Sequence, residues 1–261
     1  MKLDRVIAVR TRKTIYRDGD SCIKVFQQPY SKTAIFNEAA NHAMVEETGL
    51  NIPKMLGVTM LDGKWAIVTE FIHGKTVEQL INEHPEKKET YYRTLADLQS
   101  AIHKKECPVL YRLKDELNQK ICNAELDATT RYDLHCRLEH MAKGMAICHG
   151  DFVPSNVILS EDGIYYTIDW TLASYGNPLA DVAQTYIMFW LQSSYADAEL
   201  YLELYCAESH VDKEAVYAWL PIIGAAMSVR RPLAERTVLL ECVNSGDFHA
   251  CMQKYPMGDQ K

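Results

Sequence analysis

The first seventy residues alternate apolar and polar positions in short runs. Val6–Val9, Thr14–Tyr16 and Cys22–Phe26 are β-type stretches, the last two separated by the turn residues Asp18-Gly19-Asp20. Ser31 stands where a helix cap belongs, ahead of a helical pattern that reaches about Thr48 and stops at Gly49. Leu56–Leu61 and Trp65–Glu70 follow across Asp62-Gly63, a dipeptide that favours a tight hairpin because both positions tolerate positive φ. The pattern predicts a small antiparallel sheet with one helix.

Past Phe71-Ile72-His73-Gly74 the apolar residues recur every three or four positions. Helices are predicted over 76–83, 88–105, 112–123 and 127–143. Short strands return at Ala146–Cys148, Val157–Leu159 and Tyr165–Ile168, and 178–245 reads as four more helices, broken or started at Pro221 and Pro232. There is no internal repeat and no low-complexity stretch. The chain therefore reads as α+β and bilobal: a β-rich lobe over residues 1–71 and a larger, mainly helical lobe over 72–261.

Composition adds limits. With 261 residues, 48% of them hydrophobic, the chain can bury a large core. A net charge of −7 argues against general nucleic-acid binding, which needs a basic face. The charge is uneven. Residues 1–72 hold ten Lys/Arg against eight Asp/Glu, and the remainder holds eighteen against twenty-seven. A slightly basic first part suits a nucleotide triphosphate, and an acidic second part suits a cationic small molecule, although solvated helix faces give the same excess. Eight scattered cysteines without a Cys-x-x-Cys pair read as reduced thiols, hence a cytoplasmic setting. The start Met1-Lys2-Leu3-Asp4-Arg5 lacks the apolar core of a signal peptide, and no apolar run is long enough to predict a membrane span.

Chemistry concentrates in His149-Gly150-Asp151-Phe152-Val153-Pro154-Ser155-Asn156, followed by Thr167-Ile168-Asp169-Trp170. The spacing His-Gly-Asp-x4-Asn alone arises by chance in about one chain per thousand of this length, so coincidence is a poor explanation. Phosphoryl transfer needs these residue types together. Its transition state requires a divalent cation across the phosphates, and one carboxylate to take the acceptor's proton. Mg²⁺ prefers a few hard oxygen ligands from protein, which Asn156 and Asp169 carry. Asp151, five residues before Asn156, fits a base near the metal but not bound to it.

The run resembles the catalytic loop and metal segment of aminoglycoside phosphotransferases, choline kinases and related small-molecule kinases, distant cousins of protein kinases. The resemblance implies a protein-kinase-like fold, with Asp151 as catalytic base, Asn156 and Asp169 as Mg²⁺ ligands, and His149 as a structural prop. It further implies that Lys24, in Cys22-Ile23-Lys24-Val25-Phe26, grips the α- and β-phosphates, and that Glu38 pairs with it. Val68-Thr69-Glu70-Phe71-Ile72-His73-Gly74 is similar to the family hinge, where Glu70 and Ile72 would meet the adenine through main-chain groups. Gly176-Asn177-Pro178-Leu179-Ala180-Asp181-Val182-Ala183 is similar to the stretch after the metal aspartate, and Asp181 there reads as a cap for catalytic-loop amides.

One departure stands out. The nucleotide-covering loop should lie near Arg10-Thr11-Arg12-Lys13-Thr14-Ile15-Tyr16, which has no glycine, so Thr11, Arg12, Lys13 and Thr14 would add side-chain contacts to phosphate. The implied activity is transfer of the γ-phosphoryl group of ATP, with GTP the alternative, to a small-molecule hydroxyl. A catalytically inactive nucleotide-binding relative and a protein kinase are the competing readings. Other signals carry less. Tyr186–Leu191 reads as core, no Cys/His set completes a zinc site around Cys148, and no Gly-x-Ser-x-Gly elbow points to a hydrolase.

Overall fold

A computed structural model describes residues 5–10, 12–255 and 257. The chain divides into two compact units. The first runs through Glu83 and takes up Pro154–Ala173 again; the second comprises His84–Val153 and the chain from Ser174 onward.

The first unit is built on an antiparallel sheet of β1 (Arg5–Arg10), β2 (Lys13–Asp18), β3 (Ser21–Phe26), β4 (Met55–Leu61) and β5 (Lys64–Glu70), in the order β1-β2-β3-β5-β4. The β4–β5 hairpin turns at Asp62 and Gly63, both at positive φ (47° and 74°), which is why this dipeptide closes it. Helix α1 (Lys32–Glu46) begins at Ser31, whose hydroxyl accepts from the Ala34 amide. Alternation along β3 sorts its side chains. Ile23 and Val25 pack with Ala66 and Val68 on one face, while Phe26 joins Ile67, Ile35 and Ala39 on the α1 face. Lys24, directly opposite Ile67, therefore belongs to the α1 face as well.

The first unit also holds β6 (Gly74–Thr76), α2 (Val77–Glu83), β9 (Val157–Ser160) and β10 (Tyr165–Thr167). Strands β10-β9-β6 form a second small sheet. The compact unit thus extends past position 71, because Gly74–Thr76 pairs with Ile158–Ser160 and draws 154–173 to the N-terminal side. A Cβ on Gly74 would lie 2.1 Å from the Leu159 carbonyl oxygen, so this pairing requires glycine there.

The second unit is mainly helical: α3 (Lys88–His103), α4 (Leu113–Asn123), α5 (Ala128–His140), α6 (Pro178–Gln192), α7 (Tyr195–Ser209), α8 (Lys213–Tyr217), α9 (Leu220–Ser228), α10 (Leu233–Asn244) and α11 (Phe248–Met252). Its strands β7 (Tyr111–Arg112), β8 (Ala146–Cys148) and β11 (Ser174–Gly176) make a three-stranded sheet, order β7-β11-β8. Between 178 and 245 five helices replace the expected four. Pro221, in the first turn of α9, lacks the amide that would continue α8 as one helix. Helix α6 is buried almost throughout, including Tyr186, Phe189 and Trp190, as its apolar run requires. No helix among the described residues is long and apolar enough to cross a membrane.

Candidate active site

In the first unit three of the expected residues come together. Lys24 Nζ donates to Glu38 Oε1 at 2.6 Å and to Asp169 Oδ1 at 3.1 Å. Glu38 reaches it because it lies on the buried stripe of α1, with Ile35, Ala39, His42 and Val45. Asp169 reaches it from the segment after β10, with its backbone in the left-handed region at φ 61° and ψ 62°. That conformation costs free energy for a residue with a side chain, so its surroundings must hold it. They do. The Ile168 amide donates to the Asn156 carbonyl at 2.9 Å, and the Thr171 hydroxyl donates to Asp169 Oδ1. One turn after Glu38, Asn41 Nδ2 donates to the carbonyls of Thr171 (3.2 Å) and Ala173 (3.4 Å). Helix α1 thus grips both the lysine and the segment that follows the aspartate.

Charge explains the ionisation states. Burial opposes the charged form of Lys24, yet Asp169 and Glu38 more than offset it and raise its pKa above the usual lysine value. Burial likewise opposes a charged Asp169, but Lys24 and then Lys13 hold its carboxyl well below the usual range. Lys13 is the addition that sequence reasoning placed only beside phosphate. Its Nζ lies 3.7 Å from Asp169 Oδ2 and 3.8 Å from Glu38 Oε2. Burial, and then Lys24, lower its pKa. Thr11 lies outside the described residues.

Asn156 is buried, ends a short 3₁₀ turn over Pro154–Asn156 and precedes β9. Together with the ionised Asp169 it offers hard oxygen donors. No group of three or more His, Cys, Asp and Glu positioned for a metal occurs among the described residues. A two-ligand oxygen set fits Mg²⁺, which takes its remaining ligands from phosphate and water. At the end of β5 the Glu70 amide donates to the Lys54 carbonyl and the Phe71 amide to the Asp20 carbonyl, both within 3 Å.

In the second unit Asp151 follows β8 in the loop His149-Gly150-Asp151. Asp181 anchors this loop from the first turn of α6. Its Oδ1 accepts from the Gly150 amide at 2.7 Å and its Oδ2 from the His149 amide at 3.1 Å. Helix α3 adds Gln99 Nε2 at 3.0 Å and His103 Nε2 at 3.1 Å to the same Oδ2. Since a carboxylate only accepts, His103 donates from Nε2, and its Nδ1 hydrogen-bonds the Tyr205 hydroxyl at 2.8 Å. Burial would raise the Asp181 pKa, but hydrogen bonding and charge, His103 foremost, take it below the carboxylate norm. The buried His149 accepts the Asp151 amide on Nδ1 at 3.1 Å, and Gln184 Nε2 donates to the Gly150 carbonyl. Gln99 and Gln184 had no signal in a single sequence, since an amide on a helix is ordinarily a surface residue.

A family model described as the phosphotransferase enzyme family matches residues 7–220. The chain belongs to that family. Among solved structures it is similar to the choline kinase LicA of Streptococcus pneumoniae, with 17% identity, a TM-score of 0.63, and 98% of this chain and 94% of that one covered. It is also similar to a thermostable mutant of the aminoglycoside phosphotransferase APH(4)-Ia in ternary complex with AMP-PNP and hygromycin B, with 15% identity, a TM-score of 0.67 and coverage of 98% and 94%. A type VIII aminoglycoside-3'-phosphotransferase follows at 17% identity and a TM-score of 0.61, covering 86% and 92%. No curated protein sequence gives a significant match. The phosphotransferase fold thus extends over nearly the whole chain.

Proposed function

We propose that this phosphotransferase moves the γ-phosphoryl group of ATP to a hydroxyl of a small, amine-bearing molecule. The observation that carries the reading is Lys24 shared between Glu38 at 2.6 Å and Asp169 at 3.1 Å. A buried lysine fixed by two carboxylates is a preorganised cation for phosphate oxygens, which cost no reorganisation when they arrive. Asn156 and Asp169 would hold Mg²⁺, whose charge neutralises the triphosphate. Asp151 would accept the proton of the acceptor hydroxyl, and Asp181 positions it by fixing the two amides before it. Glu70 and Ile72 would meet the adenine through main-chain groups. The Glu70 and Phe71 amides already have partners, and Ile72 has no main-chain hydrogen bond among the described residues. On this reading residues 1–71 serve the nucleotide and 72–261 the chemistry and the acceptor.

Two facts favour an amine-bearing acceptor. Similar structures include a choline kinase and aminoglycoside phosphotransferases, and residues 73–261 carry nine more acidic than basic side chains. The test is release of ADP from MgATP across amino alcohols, aminoglycosides and neutral sugars. Turnover with an amine-bearing acceptor is expected. Tight nucleotide binding without turnover on any acceptor would refute the assignment.

A further inference from the structure

Lys13 has a more specific place than the rest of its loop. It opens β2 directly opposite Phe26, a residue of the α1 face, so it shares that face with Lys24. Lys24 takes Glu38 Oε1 and Asp169 Oδ1, and Lys13 faces the other two oxygens, Oε2 and Oδ2. Two cations and two carboxylates close into a ring of alternating charge.

The two lysines are held differently. Lys24 makes hydrogen bonds to both carboxylates. Lys13 stands beyond hydrogen-bond distance from either, at 3.7 and 3.8 Å, and Glu38 Oε2 is buried without a hydrogen-bond partner. Charge, with no hydrogen bond to either carboxylate, therefore keeps Lys13 there, on a side chain one-fifth exposed. It lies against the oxygen of Asp169 that neither Lys24 nor Thr171 uses. That oxygen is the one a divalent cation would take.

We infer that Lys13 is a displaceable internal counter-ion: it competes with divalent metal for Asp169 and swings away when metal and triphosphate bind, pairing then with phosphate. The inference rests on the reading of Asp169 as a metal ligand. It also accounts for the glycine-free segment, since a lysine at the head of β2 supplies to phosphate the positive charge that a glycine-rich loop supplies with amides. Lys13 thereby makes the free site electrically complete and sets a threshold on metal entry.

The test is Mn²⁺ binding to the full chain without nucleotide, read from the electron paramagnetic resonance of free Mn²⁺. Removing one positive charge adjacent to the ligand oxygen should tighten Mn²⁺ binding about tenfold in Lys13→Gln, with Lys13→Arg close to the parent. Lys13→Met, which keeps the apolar stem, guards against a folding defect and should tighten binding equally. Adding Asp169→Asn to Lys13→Gln should abolish the gain. Neutral variants that bind Mn²⁺ no better than the parent would overturn the inference and leave the phosphotransfer reading intact. A gain that survives Asp169→Asn would overturn instead the assignment of Asp169 as ligand, and the inference with it.

Discussion

At the scale of single residues the first unit turns on Lys24. Removing one partner of a buried ion pair costs more than the pair contributes, because the remaining charge stays desolvated. Lys24→Met would leave Glu38, about 5% exposed, facing Asp169 with only the loosely held Lys13 between them. Because Asp169 is partly exposed, the cost should be about 2–3 kcal/mol, at the low end for buried pairs. For a chain of this size that lowers the melting temperature by roughly 4–12 °C. Adding Glu38→Leu should restore part of the stability, since an apolar pair tolerates burial, but none of the activity. The kcat/KM for MgATP should fall about 100-fold or more in both variants. Melting curves and steady-state kinetics on the two variants decide this. Recovery of kcat/KM in the double variant would show that Lys24 only packs.

At the scale of elements Asp181 ties α6, α3 and the loop after β8 into one piece. Four donors converge on its carboxylate, two from backbone amides and two from α3. Asp181→Asn puts an amide nitrogen among those donors and should cost about 3 kcal/mol, or roughly 6–12 °C in melting temperature. The pH dependence has a definite sign. Asp181 is held below its ordinary value of 3.8, so its charged form contributes fully above that value and loses the contribution as pH falls through the lower, folded value. The gap between parent and Asp181→Asn should therefore be widest near neutral pH and shrink below about pH 4. A gap constant down to pH 3 would rule out the charged anchor. Much at this scale was legible beforehand. Ser31 and Asp62-Gly63 act through neighbouring backbone, and local chemistry is what a sequence records; the Asp181 cap, on amides more than thirty residues away, was legible only through the resemblance of its motif. The three-residue strands β6 and β11, and the two-residue β7, were not, because they exist only through partners far along the chain. The split of α8 from α9 was missed because 178–245 was counted as four helices, although Pro221 was read as breaking or starting one; it starts a fifth. Among site residues, Lys24, Glu38 and Asp169 were readable from a motif, whereas Asn41, Lys13 and Thr171 depend on which face of helix and strand they meet.

At the scale of the whole molecule, the proposed roles fall on different compact units. Lys24, Glu38, Asn156 and Asp169 belong to the first, and Asp151 with its Asp181 anchor to the second. Binding of the nucleotide and chemistry on the acceptor should then separate by mutation. A ligand that binds only the folded chain stabilises it by about 2.7 kcal/mol at a hundredfold excess over Kd, which raises the melting temperature by roughly 5–11 °C. Asp151→Asn removes the proposed proton acceptor but no group proposed to touch the nucleotide. It should keep the melting rise with Mg²⁺ and AMP-PNP while turnover falls by about 10²–10⁴. Asp169→Asn removes a charge from the proposed metal ligand and should abolish both. Turnover near the parent level in Asp151→Asn would mean that another group takes the proton. Loss of the melting rise in that variant would mean that the second unit also holds the nucleotide, and the division of labour would have to be redrawn.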